Sequence, residues 1–528
     1  LLRRLPSPAQ DQREEVRAVR AELSRAAAMR RTSAYEEGIA VAREALRRAE
    51  VLEWAPLVAE ARLALGDLLE RTGAFPESEK MLETAYFAAA GSGATEMATM
   101  AAEELAFLVG HELARHEDGL RWSQHAEVGL ASLPDVAQTR MSAHISNLAY
   151  IHQAMGSHAE ARSLLERALA LREEVLGAEH PEVARSLNNL AVVYEAGGSY
   201  EDARALYERA LSVNEHTFGP NHPEVGTTLN NLGVVHYALG AYPQARDLLE
   251  RALELREQAL GADHPQVATT LNNLATLHHA QGAHAEALKT FERVKEIMER
   301  TLGPDHPDVA NVLNNLAGVH YAVNSLEEAK VRHEQALAIR EKAFGPEHPH
   351  VAISLSNLGG VQFAMGAYEQ AKALHERSLH IYEKTIDPDH PLVAIALNNL
   401  AETLHKTGAH EEARRLFERA RGIVEKTQGS EHPDLAYSLM GLARVALAQE
   451  RTQEAISFAE QASRVREDAG VSPVQVAEAR FLLARALVGA DHERARALAE
   501  EARDVYRSTG EETTTELAEL EAWLGEHG

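Results

Sequence analysis

The chain lacks cysteine altogether. Disulfides, thiolate metal sites and cysteine nucleophiles are therefore excluded, and a reducing, cytoplasmic location is the compatible expectation. Long apolar runs are missing too. None reaches the roughly eighteen residues that cross a bilayer, and the opening LLRRLPSPAQ lacks the apolar core of a signal peptide. Positive charge is scarce: 53 Lys and Arg stand against 80 Asp and Glu, a net charge of -27. Such a surface repels phosphate backbones and anionic membranes, so neither nucleic acid nor a membrane is an expected partner. No initiator methionine precedes Leu1, which reads as a fragment or a processed product of something longer. The phosphate loop GxxxxGK[S/T], the GxSxG elbow and the kinase signatures HRD, DFG and APE do not occur. No catalytic residue and no cofactor are expected.

What the chain does have is a period. His-Pro occurs at His180, His222, His264, His306, His348, His390 and His432, each 42 residues after the last. A length of 528 residues would otherwise suggest several globular domains. A period of this size instead means stacked units. In the unit from His180, Pro181 suits a first helical position and Glu182 favours a helix N-terminus. The first helix is predicted to end near Ala196, Gly198 to supply the turn, and a second helix to run from Tyr200 to about His216 before Gly219-Pro220.

Leu187, Leu190, Ala191 and Tyr194 share one face of the first helix, and Ala203, Tyr207 and Ala210 one face of the second. Two columns run through the units without interruption, Leu from Leu148 to Leu442 and Ala from Ala161 to Ala455. Small residues in the second helix opposite Ala191, Gly233, Ala275, Ala317 and Gly359 in the first predict a close helix–helix approach.

This set of N-L-A/G, Gly-x-Tyr and Ala-x-x-x-Tyr/Phe/Leu-x-x-Ala resembles the tetratricopeptide repeat. The 42-residue period, sampled by LREQALGADHPQVATTLNNLA, is similar to the kinesin light chain type. The resemblance covers residues 138–473 in eight units, with degenerate hairpins over 1–137 and a final pair with a capping helix over 474–528. It implies an all-α fold, an alpha-alpha superhelix of about twelve hairpins around a concave channel. The function it implies is a non-catalytic protein–protein interaction scaffold. Residues 5–46 resemble the segment that leads into the tetratricopeptide half of large bacterial serine/threonine protein kinases, where such arrays act as sensor or substrate adaptor. None of the kinase domain is present, so no catalytic residue carries over. A regulator that clamps a separate effector enzyme is a third reading.

At about 100° per residue, Arg185, Asn188, Val192, Glu195 and Ala196 fall on the side that tetratricopeptide arrays turn toward the channel, with Asn189 at its margin. Two rows of amides follow. The first is Asn188, Asn230, Asn272, Asn314 and Asn398, with Ser146 and Ser356 in the same place. The second is Asn147, Asn189, Asn231, Asn273, Asn315, Asn357 and Asn399. An amide carries a donor and an acceptor, so a stacked row can grip the backbone of an extended peptide. The competing reading has the amides bond to the adjacent unit and set the stacking. Selectivity is assigned to the variable positions: Tyr237, His279, Tyr321, Phe363 and His405 in one column, Arg185 and Asn311 in the opening column. Relatives that clamp a C-terminal carboxylate use lysines and arginines there, whereas this chain offers Arg185 and Lys406 far apart. The expected partner is a protein or peptide, held by an internal segment with aromatic or aliphatic anchors.

The 27 histidines do not spell a metal motif. HELARH from His111 puts Arg115 where a second zinc ligand belongs. The His of each His-Pro pair reads as a helix-boundary residue. His152, His236, His278 and His320 replace Tyr194 on the core side, which predicts either packed neutral imidazoles or a stack that weakens in acid.

Overall fold

The computed structural model describes residues 8–133, 137–509 and 514–527. Among them are 25 α-helices and no strand. Three N-terminal hairpins are α1 (Arg13–Arg31) with α2 (Tyr35–Leu52), α3 (Ala55–Arg71) with α4 (Phe75–Ser92), and α5 (Thr95–Phe107) with α6 (His116–Ala131). A π-helical turn, Leu108–Glu112, continues α5. Then come α7 (Ala137–Ala154), α8 (His158–Leu176), α9 (Pro181–Ala196), α10 (Tyr200–Phe218), α11 (Pro223–Ala238) and α12 (Tyr242–Leu260). The series continues with α13 (Pro265–Ala280), α14 (His284–Leu302), α15 (Pro307–Ala322), α16 (Leu326–Phe344), α17 (Pro349–Ala364) and α18 (Tyr368–Thr385). It ends with α19 (Pro391–Lys406), α20 (His410–Thr427), α21 (Leu435–Ala448), α22 (Thr452–Asp468), α23 (Pro473–Leu487), α24 (His492–Thr509) and α25 (Thr514–His527). Within each of two compact units, consecutive helices pack together as hairpins that stack in chain order, the arrangement of an all-α solenoid.

The His-Pro pairs explain the helix starts. In all seven, Nδ1 of the His accepts the backbone N–H two residues on, at 3.1 to 3.3 Å, as from Glu182 to His180 and from Asp308 to His306. In the first six the imidazole therefore acts as an N-cap, and Pro at the next position has no N–H to leave unsatisfied, whereas after His432 the helix begins only at Leu435. At the hairpin turn Gly198 adopts φ 75°, a conformation that Asn324 takes over at 59° in its own unit.

The Ala column from Ala161 to Ala455 is wholly buried, as expected of a close approach. The glycines of the first helices face something bulkier. A Cβ on Gly233 would lie 2.7 Å from Leu249, and one on Gly359 2.5 Å from His375. Those second-helix positions are filled by Tyr207, Phe291 and Phe417 in other units, all nearly fully buried. Small and large residues therefore interlock across each hairpin, which extends the expected contact between two small columns.

The contacts divide the chain into two compact units, Leu1–Val351 and Ala352–Gly528. Within the first unit the chain meets itself. Ser33 Oγ lies 3.3 Å from His264 Nε2. Gly73, at φ 71°, sits so close to Pro307 that a Cβ there would come within 2.6 Å. Phe75 stacks on Phe344 with ring centroids 5.3 Å apart. His306 faces the backbone of Arg71, and His348 that of Glu112 in the π-helical turn. His348 Nε2 nonetheless closes no hydrogen bond within ordinary limits. The three N-terminal hairpins thus dock their turns onto three successive His-Pro caps, an arrangement that the repeat pattern does not announce.

Candidate functional site

The first helices α9, α11, α13, α15, α17 and α19 carry the amide rows. Asn188, Asn230, Asn272 and Asn398 of the first row bond to the next first helix, whereas Asn314 bonds to the second helix α16. Asn188 donates to Thr228 Oγ1 at 3.2 Å, and Asn398 Oδ1 accepts from Ser438 Oγ at 2.9 Å. Asn230 is 4% exposed, donates to Asn231 Oδ1 at 3.2 Å and accepts from Asn273 Nδ2 at 3.0 Å. Asn272 accepts from Asn315 Nδ2 at 2.9 Å. Asn314 is satisfied when its amide nitrogen meets His333 Nδ1 at 2.8 Å and its oxygen receives Arg340 at 2.9 Å.

The second row is the more open beside Ser146, Asn230 and Ser356 and equally half-buried in the other units. Asn147, Asn189, Asn231, Asn273, Asn315 and Asn399 are half-buried and Asn357 is exposed. Asn273 and Asn315 turn their N–H groups back to the preceding unit, and no donor among the described residues meets their Oδ1 atoms. Between the rows and the hairpin turns, Gly318 and Gly360 face open space.

The aromatic column sits at the turn end of each first helix and pairs with the residue that opens the second. Tyr237 meets Tyr242 at 5.8 Å between centroids, and Phe363 meets Tyr368 edge-on at 5.4 Å. His279 Nδ1 lies 3.1 Å from His284 Nδ1, and His405 repeats this with His410 at 3.2 Å. Tyr321 is 48% exposed. In the opening column Arg185 is exposed and pairs with Glu182. Asn311 is exposed too, yet receives Arg340 at 2.8 Å.

His236, His278 and His320 are half-buried, and burial pushes each below the ordinary histidine range. Nδ1 of His152, His236 and His278 is buried without a hydrogen-bond partner. No group of three or more metal-ligating side chains comes together among the described residues, and no helix of the structure is long and apolar enough to cross a membrane.

Two features escaped the sequence reading. Arg172, Arg256 and Arg340, spaced 84 residues apart on second helices, are buried to within 5% exposure behind the first helices. Arg256 donates to Gln266 O at 3.0 Å, Thr270 Oγ1 at 2.6 Å and Thr227 Oγ1 at 3.2 Å. Burial lowers its pKa to about 10. The 84-residue recurrence was a visible signal; the burial was not.

The second feature lies in the second unit, a cavity of about 710 Å³ lined by Phe363, Asn398, His405, Tyr437, Arg444 and Phe481 among others. Helix α25 supplies Glu516 and Glu519 to the same lining. Arg444 bridges Glu402 at 3.3 Å and Glu478 at 3.0 Å, so its charge is already matched. Phe363, Asn398, Asn399 and His405 of this lining belong to columns that the sequence named; Tyr437, Arg444, Phe481 and helix α25 do not, because the amide columns end at Asn398 and Asn399, where Met440 and Gly441 follow.

A stack of helical hairpins with one polar, partly open first-helix face is an α-solenoid of the kind that presents a binding surface. The chain belongs to the tetratricopeptide repeat family: family models of that description match residues 139–216, 191–258, 224–300, 266–342, 308–384, 350–426 and 392–468, and a second one matches 27–94. No curated protein matches the sequence. Among solved structures, nearly identical kinesin light chain TPR-like repeats from Podosopora anserina share 29% identity, covering 39% of this chain and 97% of that one, with a TM-score of 0.34. BtubC (BKLC) from P. vanneervenii shares 24% identity over 46% of this chain and 92% of its own, TM-score 0.33. A Rap protein complexed with competence and sporulation factor shares 14% over 66% of this chain and 100% of its own, TM-score 0.45.

Proposed function

We propose that the chain is a protein-interaction scaffold that holds an extended segment of a partner along its first-helix face. The observation that carries this reading is the second amide row: half-exposed amides whose N–H groups are tied inward at Asn273 and Asn315 while their Oδ1 atoms stay unpaired beside an open glycine position, Gly318. Backbone N–H groups of an extended chain are the natural donors to such a row. The half-open rings of Tyr237 and Tyr321 suit aromatic or aliphatic anchors of an internal segment. Replacing Asn231, Asn273 and Asn315 together with Ala should abolish partner capture by the recombinant chain; because the change also strips buried Asn230 of both its partners, the melting temperature should fall while circular dichroism still shows a folded helical chain. Undiminished capture by that triple variant would remove the reading.

Residues 5–46 support the further proposal that the array is the adaptor region of a larger serine/threonine kinase. GxGxxG, HRD and DFG motifs encoded upstream would establish it, and a start codon immediately before Leu1 would replace it with a free scaffold.

A further inference from the structure

The buried arginines show how one position of this solenoid can hold a guanidinium, although in other units the same position carries Asn214, Met298, Tyr382 or Val424. Arg256 and Arg340 each reach from a second helix to a backbone carbonyl ten residues on, Gln266 O and His350 O, and to a side chain of the opening column, Thr227 and Asn311. Arg172 likewise donates to the hydroxyl of Ser186, the counterpart of Thr270. In the unit between Arg172 and Arg256 the same position is Asn214. Its shorter side chain makes the equivalent contact with the hydroxyl, Nδ2 to Thr228 Oγ1 at 3.2 Å. The space that a guanidinium occupies next door is left open.

That space is a cavity of about 320 Å³ between α9, α10 and α11, with Asn188, Asn214, Phe218 and Glu224 in its wall. Arg185, standing where Thr227 and Asn311 stand in neighbouring units, also lines the cavity, and its charge is matched there by Glu182, which leaves Glu224 as the carboxylate open to a ligand. Glu224 is exposed at the rim, and Phe218, 39% exposed and stacked on His222, offers an aromatic face. Rim carboxylate and aromatic wall suit a planar cation, and the donor set they lack is that of an arginine side chain.

We propose that this cavity is a binding pocket for a guanidinium group, occupied by an arginine side chain of the segment held along the first-helix face. The identity of the bound segment rests on the reading above; the pocket itself does not. The chain's own Arg256 and Arg340 are the template: a partner arginine fills the unit in which the chain supplies the short, polar Asn214, whereas the unit between the two arginines is closed by the apolar Met298.

The test uses the full chain with Val192, which also lines the cavity, observed through its methyl resonances. N-acetyl-arginine methylamide should shift them saturably. The citrulline analogue, equal in shape but uncharged, should bind about tenfold more weakly or worse, the usual penalty for losing a charge-assisted hydrogen bond. Asn214→Arg should fill the pocket from within, abolish the response and leave the melting temperature unchanged or higher, which separates occupancy from misfolding. Glu224→Gln, at an exposed site, should weaken binding without any effect on folding. Equal binding of arginine and citrulline probes, or a full response in a folded Asn214→Arg variant, would overturn the proposal. If the arginine probe binds as expected while the Asn231, Asn273 and Asn315 variant keeps its partners, the pocket stands and the reading of the amide row falls.

Discussion

Ser33 Oγ and His264 Nε2 lie 3.3 Å apart across 231 residues of chain. The same ring uses Nδ1 to accept the N–H of Gln266 at 3.2 Å. One neutral imidazole, with its proton on Nε2, thereby caps its own helix and holds a distant hairpin turn. His306 and His348 face the Arg71 and Glu112 backbones from equivalent caps, so helix capping and docking of the N-terminal hairpins depend on the same protonation state.

That dependence has a direction. Burial holds His264 and His306 below the ordinary range, His348 at about 3 and His350 at about 4. The Arg340 cation pushes His350 the same way, while Glu112 opposes it. Folded values below an unfolded value of about 6.5 mean that the stabilisation is complete above that pH and is lost as pH falls toward the folded values. Between about pH 7.5 and pH 5, hydrogen exchange corrected for intrinsic rate should accelerate first at the turns around Ser33, Gly73 and Glu112. Equal protection at both pH values would rule out this coupling.

Near the same docking edge, Glu70 is 7% exposed with Oε2 lacking a partner, and its pKa is raised to about 8, by burial first and Glu104 next. A raised carboxyl stabilises the fold fully only below its unfolded value and loses that contribution as pH rises through the folded one. Glu70→Gln should therefore leave stability unchanged near pH 4 and raise it in alkaline solution by about 1 to 3 kcal/mol, the cost of an unsatisfied buried group. Thermal melts across pH provide the check; a variant that is less stable than the parent in alkali would contradict the assignment.

Two glycines of equivalent helices should respond oppositely to alanine. A Cβ at Gly233 collides with Leu249, so Gly233→Ala is expected to cost about 1 to 3 kcal/mol. Gly318 meets nothing within 4 Å, so Gly318→Ala should gain up to about 1 kcal/mol from helix propensity. Urea unfolding of the pair measures both, and partner capture by Gly318→Ala asks separately whether the open position is used.

The two amide rows should also part company. Asn230 is buried and leaves Asn273 Nδ2 without an acceptor when truncated, so Asn230→Ala should cost about 1 to 3 kcal/mol. Asn357 is exposed, and Asn357→Ala should stay within about 0.5 kcal/mol. A comparable loss at both positions would mean that the outer row is structural as well.

The sequence by itself determined the hairpins. A 42-residue period fixes where His-Pro begins a helix and where glycine ends one, and the 3.6-residue pattern fixes which face of each helix is buried, because these are local consequences of backbone geometry and burial. It also brought the amides to one side of the first helices. Which of two adjacent amides turns between helices was beyond it: Asn314 and Asn315 differ by a single 100° step, and only packing against His333, Arg340 and Asn272 separates them. The same limit applies to Asn214, whose importance lies in the guanidinium that its neighbours place and it does not. The docking of Ser33, Gly73 and Phe75 on His264, Pro307 and Phe344 arose from the small rotation accumulated from unit to unit within the first compact body, a quantity that no single repeat encodes and only the assembled stack decides.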